Sequence, residues 1–439
     1  MDAILERSHA LKQALVDFVL DAEGELAQAL ESYAAEHLRR SGGDSTQRNL
    51  ITNSFITEGK VGDKSPLELF IASHPDLSES DRHLLTNWER SFIGLFAITE
   101  ILPDGVELMN WLTAKHYIAK PNNSQTLQEI SRLKVGEILL TSISPITDSY
   151  WLFSDTYTIM GKLGKPKLAV AIGNFKDNYK SYLYRDAPEL LAEAWHSVEQ
   201  YHHQFVDFFG SDEITLPGYQ LNKKIAEFQE ILLQKSLEAA GIDPTKSLAE
   251  VAAAAGLGEE EINAVAQEAG ADSEEVAQIF KNKSKMVAPK VDLPGELKKA
   301  EQVTALSHPR WGQIFLPTYS KIKTILSAED WQSVEGGEKL IRYYLEDNSI
   351  NAFIWERLAQ EYPTSLEKVL QTYLKRPELS LTSDLDALLQ EFHKPLKPEL
   401  PEIASVPIHL HNLFQEALGE VNKSKPKNKG QKNPAKGFK

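Results

Sequence analysis

Near residue 90 of this 439-residue chain the spacing of apolar residues changes from helical to strand-like, and that change limits the fold classes open to it. Upstream, Leu11, Leu15, Phe18, Val19 and Ala22 recur at helical intervals within residues 1–40, and Ser41-Gly42-Gly43 ends the pattern. Residues 44–65 read as a polar loop. A second helix starts at Ser78 or Ser80 and runs through Leu84, Leu85 and Trp88. Six short segments rich in β-branched and aromatic residues follow, at 91–102, 106–113, 116–119, 137–143, 150–158 and 167–172. Gly, Pro and Asn punctuate them, and Pro103-Asp104-Gly105 reads as a turn in which Pro fixes φ and Gly supplies φ > 0. The series predicts a small β-barrel-like domain over 91–175.

Helical spacing returns at 187–208, after Asp186-Ala187-Pro188, and at 219–240, after Pro217. The reading is α+β: a mostly helical multidomain protein with one small β-barrel or curled antiparallel sheet. Its parts are an N-terminal helical region (1–90), the barrel (91–175), a helical segment (176–245), an Ala/Glu-rich unit (246–282) and a linker (283–295). A C-terminal helical domain (296–393) then holds four or five helices with breaks at Pro309, Gly336-Gly337, Pro363 and Pro377. A Pro-rich strap and last helix (394–422, the helix at 409–421) and a disordered basic tail (423–439) complete it.

Length alone asks for two to four domains, because a single core stops growing well short of it. A hydrophobic fraction of 42% with seven tryptophans is enough to build those cores. The chain has no cysteine, which excludes disulfides, thiolate zinc sites, iron–sulfur ligation and a cysteine nucleophile. No segment has the make-up of a signal peptide, and no run approaches the roughly 18 apolar residues that span a bilayer. A soluble protein of the cytoplasm or stroma is expected.

Charge is unevenly placed. The formal net charge is −16, yet Lys423 to Lys439 carries seven lysines and no acid. An acidic body repels nucleic acid and anionic membrane over most of its surface, whereas a lysine-rich arm attracts polyanions without sequence choice.

Three local likenesses add to this. Lys134-Val135-Gly136-Glu137-Ile138-Leu139 resembles the strand entry of small barrels of the SH3-like or oligonucleotide-binding kind. Residues 251–266 recur as 265–280, and the first copy resembles a helix-turn-helix: Ala252 is small, Gly256 stands at the turn, and Val251, Ala255, Leu257, Ile262 and Val265 take buried positions. Its second helix opens Glu259-Glu260-Glu261, which would repel phosphate, so specific DNA reading is not expected. The ending Asn433 to Lys439 is similar to the C-terminal zinc-binding motif of translocase-type proteins, but its cysteines are missing, so neither zinc nor activity carries over.

No catalytic signature emerges. There is no Gly-x-Ser-x-Gly elbow, and Gly161-Lys162-Leu163-Gly164-Lys165 lacks the spacing of a phosphate loop. Asp155, Asp177 and Asp186 are scattered. Glu193, His196, Glu199, His203 and Asp207 have ligand-like spacing, but both Glu-x-x-His motifs sit on one helix and point about 120° apart, so no metal is assigned. His409-Leu410-His411 opens the final helix. His308-Pro309-Arg310-Trp311-Gly312 reads as a helix start, or as an Arg310-on-Trp311 stack suited to a partner's carboxylate or phosphate.

These residues lead to a non-enzymatic binding protein, an assembly or accessory factor. It would engage a protein partner through the barrel and C-terminal helices, with Arg310 and Trp311 as contacts. Lys423, Lys425, Lys427, Lys429, Lys432, Lys436 and Lys439 would hold a polyanion. No cofactor is expected. One alternative is an RNA- or ribosome-associated protein, with bases stacking at Trp111, His116, Tyr117 and Lys120 and a groove extended by Lys162, Lys165 and Lys167. Another is a metal-dependent enzyme using the 193–207 helix.

Overall fold

The structure, a computed structural model, describes residues 3–41, 45–121, 124–239 and 286–424. These fall into two compact units: 3–191 with 407–424, and 192–239 with 286–406. The protein is α+β and mostly helical, with one closed five-stranded barrel. The 246–282 repeat and Lys425 to Lys439 lie outside the described residues.

The first unit opens with α1 (Ala3–Leu20), α2 (Glu25–Ser41), α3 (Ser45–Glu58), α4 (Pro66–Ser73) and α5 (Glu79–Asn87). The expected helix over 1–40 is two helices. Gly24 sits between them at φ +67°, a left-handed conformation that reverses the chain and that a side chain would strain. The expected loop at 44–65 is largely α3. Its apolar residues come as the pairs Leu50-Ile51 and Phe55-Ile56, a grouping with little period of its own; tertiary burial of Leu50, Phe55 and Ile56 holds the helix. α5 does begin after Ser78, whose Oγ accepts from the Asp81 amide at 3.2 Å. Arg7 then reaches from α1 to donate twice to the Asp81 carboxylate, at 2.8 and 2.7 Å. Those hydrogen bonds hold Asp81 down at about 2.

The barrel follows. β1 (Phe92–Leu102), β2 (Gly105–Asn110), β3 (His116–Pro121), β4 (Ile138–Pro145) and β5 (Trp151–Gly161) close in the order β1-β2-β3-β5-β4. The eleven-residue β1 pairs antiparallel with both β2 and β4, and β3 pairs parallel with β5. α6 (Ser124–Ile130) makes the crossing from β3 to β4. Phe92, Phe96, Tyr117 and Trp151 pack against one another, with ring centroids 5.0 to 6.3 Å apart in the pairs they form.

The segment expected as a sixth strand, 167–172, is part of α7 (Lys165–Asn178). Gly164 caps that helix, Pro166 presets φ in its first turn, and Leu168, Ile172 and Phe175 are buried at helical spacing. The turn at Pro103-Asp104-Gly105 is present, with Leu102 paired to Gly105, but Gly105 is not among the positive-φ glycines. It is required for space: a Cβ there would lie 2.4 Å from the Ala119 carbonyl oxygen on β3.

In the second unit, whose boundary falls within α8 (Pro188–Phe209), come β6 (Glu213–Leu216), α9 (Gly218–Ala239), β7 (Met286–Val287), β8 (Val303–His308) and β9 (Gly312–Leu316). β6, β8 and β9 form an antiparallel sheet in that order. The reading of 296–393 as helices alone therefore missed a hairpin. Pro309 stands in its turn, and Pro363 opens a helix, where a missing N–H costs nothing, instead of breaking one. Five helices follow the hairpin: Tyr319–Ser327, Gly337–Glu346, Ala352–Glu361, Pro363–Leu374 and Leu381–Glu391. They bury Tyr319, Tyr344, Trp355, Leu358 and Leu370 together. The chain's last helix, Ile408–Ser424, lies in the first unit and buries Leu410, Leu413 and Ala417.

Gly105→Ala is expected to lower the stability of the first unit by about 1–3 kcal/mol, because the added methyl meets backbone that cannot rotate away. Urea denaturation followed by tryptophan fluorescence measures it; an unchanged midpoint would mean that the β2–β3 pair opens freely.

Candidate functional site: a cleft between the first helices and the barrel

One group of chemistry-bearing residues in the first unit lines a cleft of about 320 Å³. This is the lower end of the range for small-molecule sites, roughly 300–1,000 Å³. α1 contributes His9, Lys12, Gln13, Val16 and Leu20, whose spacing of three, four and seven residues puts them on one stripe of the helix. α3 contributes Arg48, Asn49, Thr52 and Asn53. The barrel wall contributes Ser142, Ser144, Leu152, Phe153 and Ser154. A register irregularity lies here: Thr141 pairs with Tyr157 but Ile143 with Phe153, so β5 carries two extra residues beside Ser142. Bulges of this kind bend a strand and re-aim its side chains.

The polar groups of the cleft are unevenly satisfied. Ser144 Oγ accepts from Ser91 Oγ at 2.8 Å, inside the wall. Gln13 Nε2 donates to Asp17 at 2.8 Å, on the exposed side of α1. His9 Nδ1 is buried without a partner. Lys12 is half-buried with its ammonium 5.7 Å from the centre of the Trp88 ring, and neither Lys12 nor Arg48 has a carboxylate partner among the described residues. Burial alone lowers Lys12 to about 8. Among the described lining residues there is no acid.

A second polar cluster is already filled. Glu58 on α3 accepts from Arg185, from Ser181 Oγ at 3.0 Å and from Tyr33 OH at 3.4 Å, around a cavity of about 40 Å³. Burial raises Glu58 in spite of Arg185. The space holds little more than a water.

The residues singled out from sequence lie elsewhere, mostly with structural partners. Tyr117 is 9% exposed, so it is no stacking platform; its OH donates to Asp186 Oδ2 at 2.6 Å, and burial, then that carboxylate, raises the phenol. Trp111 is half-buried, and its carbonyl accepts from His409 Nε2 at 2.8 Å. His116 faces Glu107 at 3.5 Å, and Lys120 pairs with Asp104 at 2.8 Å over the Tyr150 ring. The β2–β3 face thus spends its cations on its own carboxylates. Lys165 pairs with Glu416, and Lys165 and Lys167 stand on α7, not on a barrel strand.

In the second unit, 308–312 is the β8–β9 turn and not a helix start. His308 Nδ1 accepts from the amides of Arg310 and Trp311, at 3.0 and 3.1 Å. Arg310 stacks 3.9 Å from the centre of the Trp195 ring, while Trp311 packs against the helical core, so the expected Arg310–Trp311 stack does not form. Along α8, His196 lies 3.8 Å from Glu199 and near Gln200. Glu193, His203 and Asp207 do not join them, and among the described residues no three potential ligands gather around a metal position. Lys423 lies in the last helix; Lys425, Lys427, Lys429, Lys432, Lys436 and Lys439 lie outside the described residues. No described helix is long and apolar enough to cross a membrane.

Sequence reading missed the cleft because it placed α3 in a loop. The available signal was the second stripe of α1, polar at His9, Lys12 and Gln13 and one step round from Leu5, Leu11, Leu15 and Val19.

Lys12 gives a pH test. Its folded value of about 8 lies below the unfolded 10.5, so between these the unfolded chain holds a proton that the folded chain lacks, and the stability owed to this residue rises with pH. Lys12→Met keeps the stem and removes the titration. The melting-temperature advantage of the variant over the wild type is expected to shrink between about pH 7.5 and pH 10. A difference that does not change with pH would show that Lys12 titrates at its ordinary value.

No family model, curated protein or solved structure matches the chain.

Proposed function

We propose that the protein works by binding, as an accessory factor whose first unit receives a small ligand in the α1–α3–barrel cleft. One observation carries this reading: the cleft joins an accessible apolar edge (Val16 and Leu20) to a set of hydrogen-bond donors on two helices. A few placed polar groups against apolar lining is how a site fixes orientation as well as affinity. Its polar side chains are amides, hydroxyls, His9, Lys12 and Arg48; no described lining carboxylate is present to work as an acid or base beside them. The barrel's topology assigns no function by itself, since one fold serves many functions.

The lysine-rich end remains a separate part of the proposal, an arm that holds the protein and any protein partner near a polyanion. Truncation after Ser424 removes six lysines and is expected to move elution from a heparin column to lower salt. Identical elution of the two forms would remove the arm from the proposal.

For the cleft, Asn49→Trp places an indole on an exposed position at its rim. The full-length wild type, purified gently from native extract, is expected to release a small molecule on denaturation in a mass spectrometer. The variant, with its melting temperature unchanged, is expected to release little or none. Equal release from both, or none from the wild type, would sink the reading.

A further inference from the structure

We infer that the polar end of the cleft takes an oxyanion, so that the ligand is a small molecule with a phosphate or carboxylate group at one end and an apolar body. This deepens the proposal above and rests on its placement of the ligand.

Several cations of the first unit are neutralised by the chain's own carboxylates. Arg7 is paired with Asp81, Lys115 with Glu189, Lys120 with Asp104, Lys165 with Glu416 and Arg185 with Glu58. In a chain with 63 acidic residues against 47 basic ones, carboxylate partners are plentiful. Lys12 and Arg48 line the same cleft and, among the described residues, have none. An ammonium drawn out of water without a counter-charge costs stability, and the face of Trp88 offsets only part of that cost. Such an arrangement is stabilised by an anion arriving from outside.

The neighbours of Lys12 suit the same guest. His9 lies one helical turn earlier on the same stripe and has a buried Nδ1 with no partner, able to donate once protonated on that atom. Asn49 and Asn53, four residues apart on α3, present further amide donors from the opposite wall. A compact oxyanion accepts from several such donors at once, and charge-assisted bonds of this kind are roughly twice as strong as neutral ones. Val16 and Leu20, further along the same stripe of α1, leave an apolar surface for the remainder of the molecule.

Isothermal titration of the full-length protein with phenyl phosphate, benzoate and benzyl alcohol tests this. The three share a ring and differ in charge. Phenyl phosphate or benzoate is expected to bind at least about 10-fold more tightly than benzyl alcohol, the stronger of the two naming the anion. Lys12→Met is expected to weaken that binding about 10-fold and Lys12→Arg to restore most of it. Thermal melts check that each variant is folded. Should Lys12→Met not fold, Arg48→Gln, at an exposed position, serves in its place with a loss of about 3-fold. Benzyl alcohol binding as tightly as the anions, or binding unaffected by either charge substitution, would overturn the oxyanion. If Asn49→Trp still abolished binding in that case, the cleft would survive as a site for a neutral ligand. An anion that binds equally well to Asn49→Trp would instead place it outside the cleft and end both ideas.

Discussion

The parallel contact of β3 with β5 is what closes the barrel of the first unit. Ala119 faces Trp151, Lys120 faces Leu152 and Pro121 faces Phe153, and this short seam turns a meander into a closed barrel. Closure leaves no open strand edge to pair with other chains. It also sets which way β5 points: Trp151 joins Phe92 and Tyr117, while Leu152 packs with the N-terminal helices. The wall of the cleft is held in turn by β4, whose Ile143 and Ser144 pair with Phe153 and Leu152 of β5.

A single carboxylate secures the open end of the same barrel. Asp186 Oδ2 accepts from Asn110 Nδ2, Thr113 Oγ1 and Tyr117 OH, at 3.0, 2.8 and 2.6 Å, and the Asp186 carbonyl accepts from Lys115 Nζ at 2.7 Å. Hydrogen bonds to a charged group contribute about 1.5–3 kcal/mol each, more than neutral ones. Three donors from the β2–β3 region converging on one oxygen therefore hold that turn, with Ala114 at a positive φ within it, against the segment leading into α8. The second unit uses charge in another way. Arg357 reaches Asp212, Glu213 and Glu361, and Lys323 reaches Glu213 and Glu361, so two cations are shared among three acids between the β6 strand and two helices. Networks of this sort matter more than isolated surface pairs.

The fold was legible wherever one element carried its own period. Five of the six expected strands lie on barrel strands, and α5, α8, α9 and the last helix begin within a residue or two of where caps and prolines placed them. Errors fell where local pattern and burial disagree. Residues 167–172 look like a strand because Leu168, Ala169, Val170, Ala171 and Ile172 are apolar in sequence, yet Pro166 and the burial of Leu168, Ile172 and Phe175 make them helix. Gly105 was read for its torsional freedom and is needed for its missing side chain. Arg310 was matched to its sequence neighbour Trp311, while its ring partner is Trp195, far along the chain.

By itself the sequence determined the class: mostly helical, with one small barrel and several cores, free of cysteine chemistry, with a cationic end on an acidic body. Those properties follow from residue type and short-range spacing, which local sterics and the burial of one face convert directly into helix or strand. Only the tertiary structure decided the order in which the barrel closes, the hairpin at 303–316, and the meeting of Lys12 with Arg48 beside Ser142 and Leu152. Residues brought together from separate elements have no shared period to betray them. Their proximity is set by which faces remain to be buried once each helix and strand has formed.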